Sequence, residues 1–474
     1  MYVIKLRFWE SSVVSFSAII LAAGQGTRMS SFKPKVMQVL AAKPLLHHVL
    51  TTVAQLNPVQ TLVVCGYKGE LLQQNCTEFN IDWVWQTEQR GTGHAVQCAY
   101  PELHSDKRVL VLYGDVPLIK TQTLNKLLAN TPDDAIGILT VELDNPYGLG
   151  RIVSDQSDKI IGIIEERDAT PEQRKIRKIN SGIYVLPYKY LAGWLANLQP
   201  HNQQQEYYLT DVITMAVNAS VQIVEYKTAD PLEVAGINSQ AQLAAVERDF
   251  QLVLARALME QGVKLYDPAR LDIRGTVQAG QDVSIDVNVI LEGKVVLGDN
   301  VTIGPNVQIK NSIIDNGAII HAHSHIDSAT IGAECQIGPF ARIRPGTELK
   351  ARAKIGNFVE TKNASIGLDS KINHLSYIGD AEIGNRVNIG AGVITCNYDG
   401  AFKHRTIIED DAFIGSNCEL VAPVTIGKGA TLAAGTTLIK DAPAGALTLT
   451  KKILANIFSW QRPMKQPATQ CGEQ

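Results

Sequence analysis

Leu21-Ala22-Ala23-Gly24-Gln25-Gly26-Thr27-Arg28-Met29 follows a short aliphatic run, and Pro34-Lys35 comes soon after it. Glycines let a backbone approach phosphate oxygens, and exposed amides beside a helix N-terminus favour anions. Arg28 and Lys35 add the positive charge that phosphoryl transfer needs to offset building negative charge. The string is neither a Walker loop nor a dinucleotide-binding GxGxxG. A tight strand-to-helix turn with surface cations is the competing reading. Further on, Tyr113-Gly114-Asp115-Val116-Pro117 ends a second aliphatic run, at the carboxyl edge where doubly wound sheets bind ligands. Asp115 is a hard carboxylate suited to Mg²⁺, with a helix cap or turn as the alternative.

A second set of reactive side chains lies in the other half. His374 stands in Lys371-Ile372-Asn373-His374-Leu375-Ser376-Tyr377. An amine attacking a thioester must lose a proton, and imidazole titrates in the range to accept it. A polar residue facing solvent is the alternative. Phe340-Ala341-Arg342-Ile343-Arg344-Pro345-Gly346 and Gly356-Asn357-Phe358-Val359-Glu360-Thr361-Lys362 add cations suited to a sugar phosphate. Gly390-Ala391-Gly392-Val393-Ile394-Thr395-Cys396-Asn397-Tyr398-Asp399-Gly400 begins an excursion that lasts until Ile408. Long loops leaving a regular solenoid usually carry chemistry or binding.

Two kinds of element must position these sets. Residues 13–238 alternate aliphatic runs (Ser17 to Leu21, Thr61 to Val64, Arg108 to Tyr113) with helical stretches at 44–56 and 92–100. This is the βαβ alternation of an α/β doubly wound sheet. Residues 239–262 hold no Gly or Pro before Gly262 and predict one long linker helix. From 263 to 452 the aliphatic residues keep a six-residue beat. Val277, Val283, Val289, Val295, Val301, Val307, Ile313 and Ile319 follow it, and so do Ile331, Ile337, Ile343, Leu349 and Ile355. That period fits no helix and predicts a left-handed parallel β-helix, with one aliphatic side chain per hexapeptide pointing inward. Residues 453–474 predict a loose tail.

At 474 residues the chain needs at least two cores. A net charge of −3 gives no electrostatic support for nucleic-acid binding. The seven cysteines are dispersed without metal spacing and read as reduced thiols in a cytoplasm. Lys5, Arg7 and the apolar run to Ala23 imitate a signal peptide, but cleavage there would sever a strand from its glycine loop. Residues 1–12 then form a short extension, and no other segment predicts a membrane span.

In the first half, the glycine string with Pro34-Lys35 resembles the signature of sugar-nucleotide pyrophosphorylases. The resemblance implies nucleotide contacts at Leu21, Ala22, Ala23, Gly24, Arg28, Lys35, Tyr113, Gly114 and Asp115. It implies uracil-side and phosphate-side contacts at Gln86, Gly91 and Thr92, a sugar side at Gly150, Glu165 and Asn180, and Asn238 completing the Mg²⁺ site with Asp115. From about 14 to 450 the strings together resemble the bacterial bifunctional enzymes that make UDP-N-acetylglucosamine. These fuse a glucosamine-1-phosphate N-acetyltransferase to an N-acetylglucosamine-1-phosphate uridyltransferase. That likeness implies His374 as base supported by Glu360, and Arg344, Lys362, Tyr377 and Asn388 at the amino-sugar phosphate. It also implies Asn397, Tyr398, Lys403, Ser416, Ala434 and Lys451 near acetyl-CoA, with UTP and acetyl-CoA as co-substrates.

Three positions depart from that pattern: Gln25 where Lys is frequent, Gln240 where Arg is more typical, and Lys451 where Arg is usual. The last weakens an expected phosphate contact, because a lysine lacks the guanidinium fork. The further expectations are a homotrimer with acetyl-transfer sites shared between chains, a cytoplasmic location, and neither nucleic-acid nor membrane partners. Two rivals are weighed against this reading: a nucleotidyltransferase whose β-helix only regulates or oligomerises, which His374, the basic pair and the 395–407 excursion argue against, and a scaffold without catalysis, which leaves the phosphate loop and Asp115 unexplained.

Overall fold

The computed structural model describes residues 15–104 and 107–451, so the expected extension 1–12 and tail 453–474 lie outside the described residues. The chain divides into two compact units. One runs to Leu258 and takes in Leu271–Gly275; the other takes Met259–Arg270 and the chain from Thr276.

The first unit is built on a nine-stranded sheet. Its strands are β1 (Ser17–Leu21), β2 (Gln60–Cys65), β3 (Asp82–Trp85), β4 (Arg108–Tyr113), β5 (Ile136–Glu142), β6 (Arg151–Ser154), β7 (Ile160–Ile164), β8 (Lys178–Pro187) and β9 (Ile223–Lys227). Along the main path the order is β9-β5-β8-β4-β1-β2-β3, with β6 and β7 hung from β8. β1 is flanked in parallel by β2 and β4, while β8 runs antiparallel to β4 and β5. Strand order therefore reverses at β1, and the loops after β1 and β4 open side by side.

All five residues of β1 are buried, which fits a central strand better than a leader peptide. Ala18 and Ile20 pack into one hydrophobic cluster and Ile19 and Leu21 into another, so helices cover both faces of the sheet. The helices are α1 (Leu45–Ala54), α2 (Gly69–Asn75), α3 (Thr92–Ala99), α4 (Thr121–Asn130), α5 (Tyr188–Ala196), α6 (Asp211–Asn218) and α7 (Gln240–Glu260). Val246 of α7 packs with Ile237, Met29, Leu40 and Leu45, which anchors the segment just before the helix beside the glycine loop.

The second unit is a parallel β-helix whose walls are ladders of very short strands, from Lys264–Leu265 to Leu447–Thr448. The inward pattern is richer than one aliphatic residue per hexapeptide. Two positions per repeat are buried, a small residue and an aliphatic one two places on, as in Cys335/Ile337, Ala341/Ile343 and Ala353/Ile355. Small residues leave room for the aliphatic side chains of the other walls in a narrow prism.

The six-residue phase also slips. Ile313 is 50% exposed, whereas Ile314 and Ile320 are fully buried. Ile290 pairs with Gln308 eighteen residues on, but Val296 pairs with Ile313 only seventeen on. One coil is a residue short, and a one-residue slip turns every side chain to the other face.

Corners use left-handed backbone, with positive φ at His323, Phe340, Phe358 and Leu375 on one edge and Arg352, Asp369, Arg386 and Asp411 on another. On the second edge Arg352 binds Asp369 and Arg386 binds Asp411 through paired hydrogen bonds of 2.6–2.9 Å. Charge on that edge is accounted for by the fold itself.

Candidate active sites

In the first unit a cleft of about 250 Å³ opens at the carboxyl ends of β1 and β4. Leu21, Ala22, Ala23, Gly24, Lys35, Gln86, Gly91, Thr92, Tyr113 and Asp115 line it, so the structure gathers most of the expected nucleotide contacts. The glycine loop is shaped by local sterics. Gly26 has φ +63°, and a Cβ there would stand 2.6 Å from the Lys35 Cβ. Only glycine lets Lys35 come in over the loop. Arg28 is exposed on the short turn after Gly26 and does not line the cleft.

Lys35 Nζ makes a close ion pair with Asp115 and donates to Asn238 Oδ1 at 3.0 Å. Two oxygens thus converge on one cationic group. Ile237 N donates to the Asp115 carbonyl, which brings Asn238 to this point from a distant part of the chain. Gln86 is buried, and its amide donates to the Gly91 carbonyl at 3.1 Å. Gly91 has φ +107°, and a Cβ would meet the Tyr207 carbonyl at 2.6 Å.

The expected sugar-side residues form one group. Asn180 N donates to the Gly150 carbonyl, and the Glu165 carboxylate lies against Gly150. Burial pushes the Glu165 carboxyl above its usual value, and burial beside Glu165 and Asp115 raises the Tyr113 hydroxyl. Tyr113 therefore bridges the sugar-side group and the cleft.

Sequence reasoning passed over Gln89 and Glu206, which also line the cleft. Their segment is tied in by backbone: Gly93 N donates to the Tyr207 carbonyl and Tyr207 N to the Arg90 carbonyl, both at 2.8 Å. Nothing in the spacing of Glu206 from Gly91 signals that pairing. Arg151 was also passed over. It is buried and donates to Glu166 Oε2 at 2.6 Å, clamping the turn that carries Gly150.

On the β-helix, Arg344, Glu360, Lys362 and Tyr377 come together on adjacent coils. Glu360 Oε1 accepts from Arg344 at 2.6 Å. The excursion folds back through a bridge between Tyr398 and Lys403, with His404 N donating to the Asn397 carbonyl at 2.9 Å. It brings the Lys403 ammonium against that of Lys362, and this like-charge neighbour holds Lys362 below the usual lysine value.

His374 is exposed at the end of the strand Lys371–His374, three residues before Tyr377 and across a corner from it. Its Nδ1 lies 2.8 Å from Asn357 Oδ1, one coil back. The expected support from Glu360 meets a different arrangement: the carboxylate is engaged with Arg344, and Asn357 holds the imidazole. A carboxamide oxygen accepts only, so in the tautomer that donates from Nδ1 to Asn357, Nε2 is the nitrogen left to take a proton.

Asn388 pairs with Lys371 on the wall that carries His374. Ser416 and Ala434 follow on later coils of the same edge, and both are exposed, as is Lys451. Asp380, also passed over, is buried between Asn363 and Asn397 and accepts from both.

Among the described residues no group of three or more His, Cys, Asp or Glu side chains is arranged to hold a metal ion. No described helix is long and apolar enough to cross a membrane, and the six described cysteines are free thiols.

Three family models match parts of the chain: a MobA-like NTP transferase domain at 18–174, a GMPPB C-terminal domain at 273–349, and a hexapeptide repeat of succinyl-transferase at 405–440. Curated relatives span nearly all of it. The bifunctional protein GlmU of Nitrosomonas eutropha is 52% identical over 96% of this chain and 99% of its own length. Those of Azoarcus sp. and Acinetobacter baylyi are each 51% identical, over 94% and 95% of this chain and 99% of their own lengths. With a nucleotidyltransferase domain and a hexapeptide-repeat domain in one polypeptide, the chain belongs to the bifunctional GlmU family.

Proposed function

We propose that the two units make UDP-N-acetylglucosamine in two steps, acetylation first. In the first step the amine of glucosamine-1-phosphate attacks the thioester carbonyl of acetyl-CoA. Its proton passes to His374 Nε2, and the CoA thiolate leaves. Arg344, Lys362, Tyr377 and Asn388 take the sugar phosphate. Asn397, Tyr398, Lys403, Ser416, Ala434 and Lys451 lie along the path for acetyl-CoA. The observation that supports this reading most is the stacking of Arg344, Glu360, Lys362 and Tyr377 on adjacent coils, with His374 three residues before Tyr377 and its Nδ1 held by Asn357.

In the second step a phosphate oxygen of N-acetylglucosamine-1-phosphate attacks the α-phosphorus of UTP and pyrophosphate leaves. The nucleophile is already anionic, so no general base is needed and positioning dominates. Leu21 to Gly24 offer backbone amides to the phosphates, with Lys35 supplying charge in the cleft and Arg28 adding it from the exposed turn beside the loop. Gln86, Gly91 and Thr92 orient the nucleotide beside Tyr113 and Gly114. Gly150, Glu165 and Asn180 take the sugar.

The Asp115 and Asn238 oxygens fit Mg²⁺, because both already face one cationic group and both are hard donors. When bound there, Mg²⁺ offsets charge on the nucleotide phosphates. With Asp115 and Asn238 holding the metal, the Lys35 ammonium would be free to bind a phosphate oxygen.

These roles fall in 13–238 and 263–452. The exposure of His374, Lys403, Ser416 and Ala434 supports a homotrimer in which a neighbouring copy covers the acetyl-transfer site. The free thiols and the lack of a long apolar helix among described residues are in keeping with a cytoplasmic enzyme of small-molecule substrates.

The test offers glucosamine-1-phosphate, acetyl-CoA, UTP and Mg²⁺ together and follows UDP-N-acetylglucosamine, CoA and pyrophosphate. Omitting acetyl-CoA should abolish all three products. CoA release without pyrophosphate would contradict the second step.

A further inference from the structure

Gly293, Asn311, Ser328, Gly346, Asn363, Asp380 and Asn397 occupy one edge of the β-helix on successive coils. That edge needs small residues, and left-handed ones at several coils: φ is positive at Gly293, Asn311, Ser328, Gly346, Asn363 and Asp380. Glycine, asparagine and serine meet that need without charge. Asp380 is the charged member of the set, and it is only 8% exposed. Burying a carboxylate is costly unless it is paired, so the fold alone does not account for an aspartate where asparagine would serve.

The surroundings do account for it. One carboxylate oxygen accepts from Asn363 Nδ2 at 2.6 Å and the other from Asn397 Nδ2. The ammonium groups of Lys362 and Lys403 both feel the carboxylate, with Arg344 and Tyr377 as the other ionisable groups facing them. Burial works against ionisation of Asp380, but the two carboxamide donors and the two lysines outweigh it and hold the carboxyl below its usual value. Two ammonium groups side by side repel each other, and Lys362 is the one whose proton is loosened.

We propose that Asp380 is a positioning residue for acetyl transfer, whose buried carboxylate holds Asn397 in place and keeps Lys362 and Lys403 together as one doubly charged site for the phosphate of the amino sugar. This rests on the assignment of Lys362 to that phosphate. The carboxylate touches neither substrate. It acts by letting two like charges coexist, and by fixing the start of the loop that carries Lys403.

Asp380→Asn keeps the size and left-handed tolerance of the residue and removes the charge. The Michaelis constant for glucosamine-1-phosphate should rise by about tenfold or more, the usual scale for an outer supporting group. kcat should change little, and the acetyl-CoA constant should rise less than that of the sugar phosphate, because Asn397 and Lys403 also lie along the path for acetyl-CoA. The alkaline limb of kcat/KM for the sugar phosphate should move to lower pH, because Lys362 then faces Lys403 without a counter-charge. A purely structural corner residue would move neither quantity, so an unchanged constant together with an unchanged limb overturns the proposal.

Lys403→Gln offers a second reading if Asp380→Asn folds poorly: with the repelling neighbour gone, the limb should move to higher pH, and an unmoved limb counts against the proposal. Calorimetric binding of glucosamine-1-phosphate to wild type and Asp380→Asn separates this idea from the assigned reaction. Failure of wild type to acetylate would refute the reaction, whereas equal affinity of the two proteins would refute the role of Asp380.

Discussion

The two sites handle positive charge in opposite ways. In the α/β cleft, Lys35 is clamped between Asp115 and Asn238, so its charge is spoken for before any substrate arrives. On the β-helix, Lys362 and Lys403 stand together with Asp380 as their counter-charge, Lys362 half-buried and Lys403 exposed. The cleft is enclosed by loops that converge at a switch point in the sheet. A solenoid has no such convergence: each coil contacts its neighbours, and concavity must come from an excursion or from another chain. The difference teaches that the first site is gathered by loops at the end of a sheet, whereas the second is laid out along stacked coils and completed, within the chain, by an excursion that brings in Lys403.

Removing the central group of each site should have the largest effects. His374→Ala should lower acetyl-transfer kcat by about 10²–10⁴-fold, the range for a positioned proton acceptor, and leave the acetyl-CoA constant nearly unchanged. Steady-state kinetics on a variant with a normal thermal melt checks it, and near-normal turnover would return His374 to the role of a surface residue. Asp115→Ala should lower uridyl transfer by about 10²–10³-fold, by analogy with loss of one electrostatic contact to a developing charge. Pyrophosphate release reads this out, with acetyl transfer as the internal control.

A smaller change sharpens the contrast between an enclosed site and an open one. Asn357→Ala frees the imidazole to rotate and to exchange tautomers, so acetyl-transfer kcat should fall by roughly tenfold. Asn357→Asp should restore much of that loss, because its carboxylate also accepts from Nδ1. The smallest effect is one of pH. Lys403 holds Lys362 below the usual lysine value, so Lys362 loses its proton earlier than an ordinary lysine as pH rises. The Michaelis constant for glucosamine-1-phosphate should therefore climb by a few-fold on the alkaline side, before that of UTP does. Parallel curves for the two substrates would contradict this.

How much was legible in the sequence follows from the same contrast. The glycine loop and Asp115 were readable because strand-end loops carry local signatures. Glu206 and Gln89 were not, since their approach to the cleft depends on backbone pairing of Arg90 and Gly93 with Tyr207 across the fold. In the β-helix the six-residue beat announced the architecture, because one inward aliphatic position per repeat persists along the chain. It misread Ile313, because a coil one residue short resets the phase without breaking the local pattern. The partners of the site were hidden for a related reason. Asn357 and His374 lie seventeen residues apart and meet only because consecutive coils stack in register. Asp380 looks like any polar corner residue until its neighbours on the coils before and after are known.

The claim that two independent sites share this chain is tested most directly by mixing two variants. Asp115→Ala and His374→Ala, each purified and each with a normal melt, are supplied alone and together with glucosamine-1-phosphate, acetyl-CoA, UTP and Mg²⁺. Alone, the first should accumulate N-acetylglucosamine-1-phosphate, the second should leave its amine unacetylated, and neither should form UDP-N-acetylglucosamine at an appreciable rate. Together they should restore its formation through the released intermediate. A mixture as inactive as its components, with either variant lacking both half-reactions, would contradict the separation of the two sites.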